Sequence, residues 1–223
     1  MTPESQTPNI GEAPGLAYFG KMTATMSHEL KNCLAIMNEN AGLIQDLLMM
    51  NQSGHPLEPD RLDRISGGIS RQVLRADTLL KQMNIFAHSV DLPEQQVDLK
   101  EAVRLAATIG ARLVANQQVE IQPDASDGSV PMTLSFFSLL NLIWQTLEAV
   151  MTAMAPKTIL DIQVSRDPTR IRFTSSKAFE SDLGPGLLAC GVPDLVSRAS
   201  ARVVHDPGTS RVDLIFGEAP TKK

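Results

Sequence analysis

The chain has 223 residues, 43% of them hydrophobic, and a formal net charge of -5. That length holds one medium domain or two small ones, and the acidic balance excludes a general nucleic-acid surface. No apolar run approaches the roughly 18 residues that span a bilayer, and no basic-then-apolar leader opens the chain. Cys33 and Cys190 are isolated, with no metal-ligand spacing around them. The expectation is a soluble cytoplasmic protein with no membrane and no nucleic acid among its partners.

Residues 1–15, rich in Pro, Ser, Thr, Gln and Gly, read as a disordered tail. From 16 to 50 apolar residues recur in steps of three and four, at Leu16, Phe19, Met22, Met26, Leu30, Cys33, Met37, Ala41, Ile44 and Leu48, which predicts one long helix. At about 100° per residue, His28 falls roughly 170° from the mean of that stripe and points to solvent. Lys21, Thr25, Asn32 and Glu39 share its face. His28 and Asn32 are one turn apart, so a group docked on one can touch the other. Asn51 to Pro56 break the helix, and Pro59 suits the first turn of the next. A second stripe follows at Leu62, Ile65, Ile69, Val73, Ala76, Leu80, Met83 and Ala87. Two long helices joined by a short loop make an antiparallel hairpin. A lone hairpin buries both stripes poorly, whereas two copies forming a four-helix bundle bury them well, so the pattern predicts a homodimer. Folding the hairpin about its loop brings Arg75, Lys81 and Gln82 near the level of His28. Their ordinary reading is a solvated helix face.

After residue 93 the character changes. A helix is predicted over 99–115, a strand over 119–122, a polar loop over 123–131 and a strongly apolar helix with Trp144 over 134–154. Residues 159–164 and 170–174 alternate around Asp167-Pro168 as a hairpin. Residues 186–201 read as helical, with a break or start at Pro193. A last hairpin spans 202–205 and 211–216 around Asp206-Pro207-Gly208. The fold class is therefore α+β: a helical hairpin over 16–90, dimerising as a four-helix bundle, then a two-layer α/β sandwich over 97–220.

Ser27-His28-Glu29-Leu30-Lys31-Asn32 resembles the H-box of two-component sensor histidine kinases, in which the histidine is the phosphoacceptor of a dimerising hairpin. Many members continue with proline. Here Cys33 stands in that place, so the helix is expected to be less kinked. The resemblance implies that the α/β half is similar to the family's ATP-binding domain. Leu140-Asn141-Leu142-Ile143-Trp144-Gln145 looks like the N-box, whose two asparagines stand four apart and whose second helps to hold magnesium. Asn141 keeps the first, and Gln145 replaces the second, a displaced oxygen for an ion that demands close octahedral geometry. The adenine-binding D-x-G-x-G box is absent. Ser175-Ser176-Lys177 occupy its place and run almost directly into Leu183-Gly184-Pro185-Gly186-Leu187, a remnant of the last glycine box without a lid. Pro185 has no N–H to offer a phosphate. Residues 208–216 match the family's closing strand.

The reading is a histidine phosphotransferase of a phosphorelay. His28 takes a phosphoryl group from an aspartate of one response-regulator receiver domain and passes it to another. The partner receiver supplies Mg2+, and this chain binds no cofactor. Glu29 would accept a proton if a kinase reaction occurred, and Asn32 could orient a water; the ordinary reading of both is a polar helix surface. The alternatives are a divergent ATP-dependent kinase, a receiver-binding scaffold, or a phosphatase acting through Asn32. His55, His88 and His205 read as incidental, and Cys33 and Trp144 as core.

Overall fold

The first amphipathic pattern folds as one uninterrupted helix, α1 (Ala13–Gln52), running straight through Cys33. The computed structural model describes residues 13–115, 118–189, 192–205 and 209–217; the rest of the expected N-terminal tail, Cys190 and the turn at 206–208 lie outside them. α1 stops at a left-handed glycine. Gly54 has φ +92, the Gly54 N–H donates to the Asn51 carbonyl at 3.0 Å, and the His55 N–H donates to the Met50 carbonyl at 3.1 Å. These are the paired bonds of a Schellman cap, and Pro56 prevents the helix from resuming. The chain returns as α2 (Pro59–His88).

The stripes need correction in detail. On α1, Met22, Met26 and Cys33 are buried as expected, but Leu16, Ala41 and Leu48 are exposed, whereas Tyr18, Thr25 and Leu47 are buried. On α2, Ile65 is buried, while Val73, Leu80 and Ala87 are exposed and Phe86 takes the inner position. Residues three or four apart sit only about 40–60° apart on the wheel, so a stripe of such steps leaves its exact bearing open and the partner element selects it.

The second half forms the expected layers, with more strand than anticipated. β1 (Gln95–Asp98) and β3 (Pro131–Leu134) pair antiparallel, from segments read as a lead-in and a loop. Between them lie α3 (Leu99–Ala115) and β2 (Val119–Pro123). Then follow α4 (Phe136–Ala153), β4 (Thr158–Arg166), β5 (Thr169–Ser175), α5 (Leu183–Ala189), α6 (Val192–Arg198), β6 (Ala201–His205) and β7 (Arg211–Phe216). α4 starts two residues later than expected because Ser135 caps it, accepting from the Ser138 N–H at 3.3 Å. The expected helix over 186–201 is two short helices, with Pro193 in the first turn of the second.

The main sheet has the order β2-β4-β5-β7-β6, with β2 and β4 parallel and the other pairs antiparallel. Leu160, Ile162, Phe173, Ile171, Val212 and Leu214 are fully buried on one face of it. Leu99, Val103, Leu139, Leu142, Ile143 and Leu147 of α3 and α4 complete the core; burying each such side chain contributes about 1.5–3 kcal/mol.

Contacts divide the chain into two compact units. One is Thr23–Ile85; the other joins the residues up to Met22 to those from Phe86 onward. The base of the hairpin thus belongs with the α/β layers. Tyr18 meets Phe86 edge-on at 5.6 Å, Phe19 stacks on Phe86 at 5.3 Å, and Phe137 of α4 lies 5.6 Å from Tyr18.

Candidate functional site

Within the Thr23–Ile85 unit, His28 is exposed in the middle of α1, as the helical phase requires. Thr25 and Asn32, expected on the same open face, are buried and half-buried, while Lys21 and Glu39 are exposed. The buried side of α1 here runs through Met22, Thr25, Met26 and Cys33, wider than one stripe.

Glu29 organises the polar groups beside His28. Asn32 Nδ2 donates to Glu29 Oε1 at 3.2 Å, and Arg75 Nη2 of α2 donates to Glu29 Oε2 at 2.6 Å. The Glu29 side chain keeps 15% of its exposure and that of Arg75 keeps 55%. Glu29, Asn32 and Arg75 therefore form one hydrogen-bonded group, two from α1 and one from α2, and His28 precedes Glu29 in the chain. The structure gives Arg75 a specific partner rather than a merely solvated face. Sequence alone does not single out this pair: counting back from Gln52 at the end of α1 and on from Pro59 at the start of α2 sets position 82 opposite 29, and Arg75 lies about two turns nearer the loop. Lys81 instead pairs with Asp77 along α2 at 2.7 Å, and Gln82 turns its Oε1 into the interior without a hydrogen-bond partner.

The other histidines have partners or places of their own. His55 follows the α1 cap. His88 Nδ1 lies 2.7 Å from Asp91 Oδ2, a partner that sequence reasoning did not assign. His205 is on the edge strand β6, 6.0 Å from the Phe179 ring.

The N-box-like residues sit on α4, in the other unit. Asn141 is buried, and Gln145 Nε2 donates to Asn141 Oδ1 at 3.2 Å, so the substituted side chain occupies the oxygen of its neighbour. One turn on, Lys21 pairs with Glu148 and lies 5.6 Å from the Trp144 ring. Ser175 and Ser176 are used in closing the sheet: the Ser175 N–H donates to the Ser210 carbonyl at 2.8 Å and the Ser176 N–H to the Ile159 carbonyl at 2.9 Å. Gly186 packs against Ala149, its missing Cβ 3.7 Å from that methyl. Gln145 and Asn141 thus hold one another, and Ser175 and Ser176 hold the backbone.

The acids held below their ordinary range are structural. Asp213 of β7 is desolvated, which pushes its carboxyl up, but the two-point grip of Arg172 at 2.8 and 3.0 Å and the charges of Arg211 and Arg170 outweigh burial and hold it below the ordinary range. Asp98 and Asp124 are likewise desolvated yet held low. Asp98 accepts from Ser129 and the Lys100 and Val130 N–H groups, and Asp124 from Ser126 and the Val164 N–H. Buried Lys100 adds its charge to both and donates to Ser126 Oγ at 2.7 Å, pinning the β2–β3 connection. Among the described residues no group of three or more His, Cys, Asp or Glu could hold a metal ion, and no helix is long and apolar enough to cross a membrane.

No protein-family model matches this chain, and no curated protein does. Among solved structures it is similar to the cytoplasmic segment of histidine kinase QseC, at 12% identity over 65% of this chain and 94% of that one, with a TM-score of 0.46. It is also similar to Acinetobacter baumannii histidine kinase AdeS, at 11% identity, 84% and 95% coverage and a TM-score of 0.42. Mycobacterial sensor histidine kinase MprB follows at 14% identity, 55% and 96% coverage and a TM-score of 0.39. All three are histidine kinases; at this identity and score the likeness says nothing about chemistry.

Proposed function

We propose that this chain is a histidine phosphotransferase of a two-component phosphorelay, carrying a phosphoryl group on His28 between receiver-domain aspartates. The observation that carries the reading is an exposed His28 mid-helix, inside Ser27-His28-Glu29-Leu30-Lys31-Asn32, with Glu29, Asn32 and Arg75 gathered beside it. In the transfer the aspartyl P–O bond breaks, a P–N bond to an imidazole nitrogen forms, and the ring sheds its proton; the return step reverses this. The partner receiver provides Mg2+ and most of the catalytic groups. The α/β half does not act as a kinase. What supports this is the Gln145–Asn141 bond and the absence of an adenine aspartate at Ser175-Ser176-Lys177.

The working form is a homodimer. Leu34 and Leu48 of α1 and Val73 and Leu80 of α2 remain exposed in the single chain, more apolar surface than a hairpin leaves to water without a partner.

The deciding experiment incubates the protein with phosphorylated receivers and, separately, with labelled ATP and magnesium. Acid-labile phosphate should arise only from the receivers and should vanish in His28→Ala, which keeps its fold because the position is exposed. Labelling from ATP, or saturable ATP binding in the micromolar range by calorimetry, would restore the kinase reading. Labelling that persists in His28→Ala would move the acceptor elsewhere.

A further inference from the structure

We infer that Arg75 is the phosphoryl-contacting residue of the His28 site, and that Glu29 acts as its anchor rather than as a base. This deepens the phosphotransfer reading and rests on it.

Glu29 is occupied on both oxygens, by the Asn32 amide at 3.2 Å and the Arg75 guanidinium at 2.6 Å. Each oxygen thus accepts one hydrogen bond, and one of the two donors is a cation. A guanidinium has five N–H donors, and Glu29 accepts from one nitrogen of Arg75. The remaining donors stay on a side chain that is 55% exposed. An ion pair with one half-exposed partner adds little stability, so the fold alone does not account for it. Position supplies the rest. Glu29 follows His28 directly in α1, so the guanidinium bonded to Glu29 is anchored one residue along the helix from the imidazole. A phosphoryl group on that ring is a dianion, and the planar fork of arginine matches two of its oxygens. Asn32, half-buried one turn beyond His28, donates to the other oxygen of Glu29.

Potassium phosphoramidate tests this on the full chain without an identified receiver. Its P–N bond breaks, a new P–N bond to the His28 ring forms, and the displaced ring proton leaves with ammonia as ammonium. Phosphohistidine is followed by 31P NMR in wild type, Arg75→Ala, Arg75→Lys, Glu29→Gln and His28→Ala, with circular dichroism confirming helix content in each. Arg75→Ala should slow labelling on the order of tenfold or more, as loss of one charge-stabilising donor does. Arg75→Lys should regain part of the rate. Glu29→Gln, which loses the anchor but keeps the guanidinium, should fall less than Arg75→Ala.

A wild-type rate in Arg75→Ala, or a Glu29→Gln rate below that of Arg75→Ala, overturns the inference while leaving His28 as acceptor. A wild type that does not label, or a His28→Ala that does, removes the phosphotransfer reading and this inference with it.

Discussion

Gly110 lies inside α3 where the Trp144 ring of α4 rests on bare backbone. A Cβ at that position would stand 2.0 Å from Cζ3 of the ring, 2.8 Å from Cε3 and 3.0 Å from Cη2. Carbon atoms settle at about 3.5–4.0 Å, so Gly110→Ala forces a retreat of roughly 1.5 Å. Trp144 has nowhere to go: it is 1% exposed, and Leu140 and Leu147 around it on α4 are 0% exposed. Overpacking costs about 1–3 kcal/mol and sometimes more, and alanine returns about 1 kcal/mol of helix propensity over glycine. Because the overlap is with the body of a rigid ring, the cost belongs at or above the top of that range, for a net loss of about 2 kcal/mol or more. The midpoint of thermal unfolding should fall by roughly 5–10 °C. Trp144 is the only tryptophan in the chain, so its fluorescence reports the melt and the displaced ring directly. In a Trp144→Leu background the same Gly110→Ala change should cost far less, since the atoms it meets are gone. A Gly110→Ala protein that melts at or above the wild type, or an equal loss in both backgrounds, would refute the close approach.

Two further outcomes follow from the packing and the charges. Leu34 is 60% exposed and Val73 50% exposed in the single chain, so Leu34→Asp should turn a sedimenting dimer into a monomer with its helix content intact; a stable wild-type monomer would contradict the bundle. Asp98, Asp124 and Asp213 are held below their ordinary value of 3.8 in the folded chain, so their stabilisation is full above that pH and is lost as pH falls through the lower folded values. Urea midpoints should therefore be steady from pH 7 to 5 and drop below about pH 4, and Asp213→Asn should flatten that drop while costing about 1–3 kcal/mol at neutral pH by stranding Arg172. A loss centred between pH 5 and 7 would point to other groups.

Consecutive residues alone determined a good deal of this protein. The 3.6-residue rhythm set the two long helices and the outward angle of His28, and the turn residues from Asn51 to Pro56 set the break between them. Alternation set the β4–β5 and β6–β7 pairs, because a strand facing helices on one side writes its inner face into every second residue. Tertiary structure decided the rest. Which of two adjacent helix faces is buried, Leu47 rather than Leu48 or Phe86 rather than Ala87, depends on the shape of whatever packs there. The β1–β3 pair is not legible in the sequence because Gln95-Gln96-Val97-Asp98 carries a single apolar residue and so shows no alternation. Glu29 with Arg75, Gly110 with Trp144, and Gln145 turned back on Asn141 are facts about distance and direction between side chains. Local pattern records which residues can share a surface. It does not record which atoms meet, because that is set by close packing among elements remote in sequence.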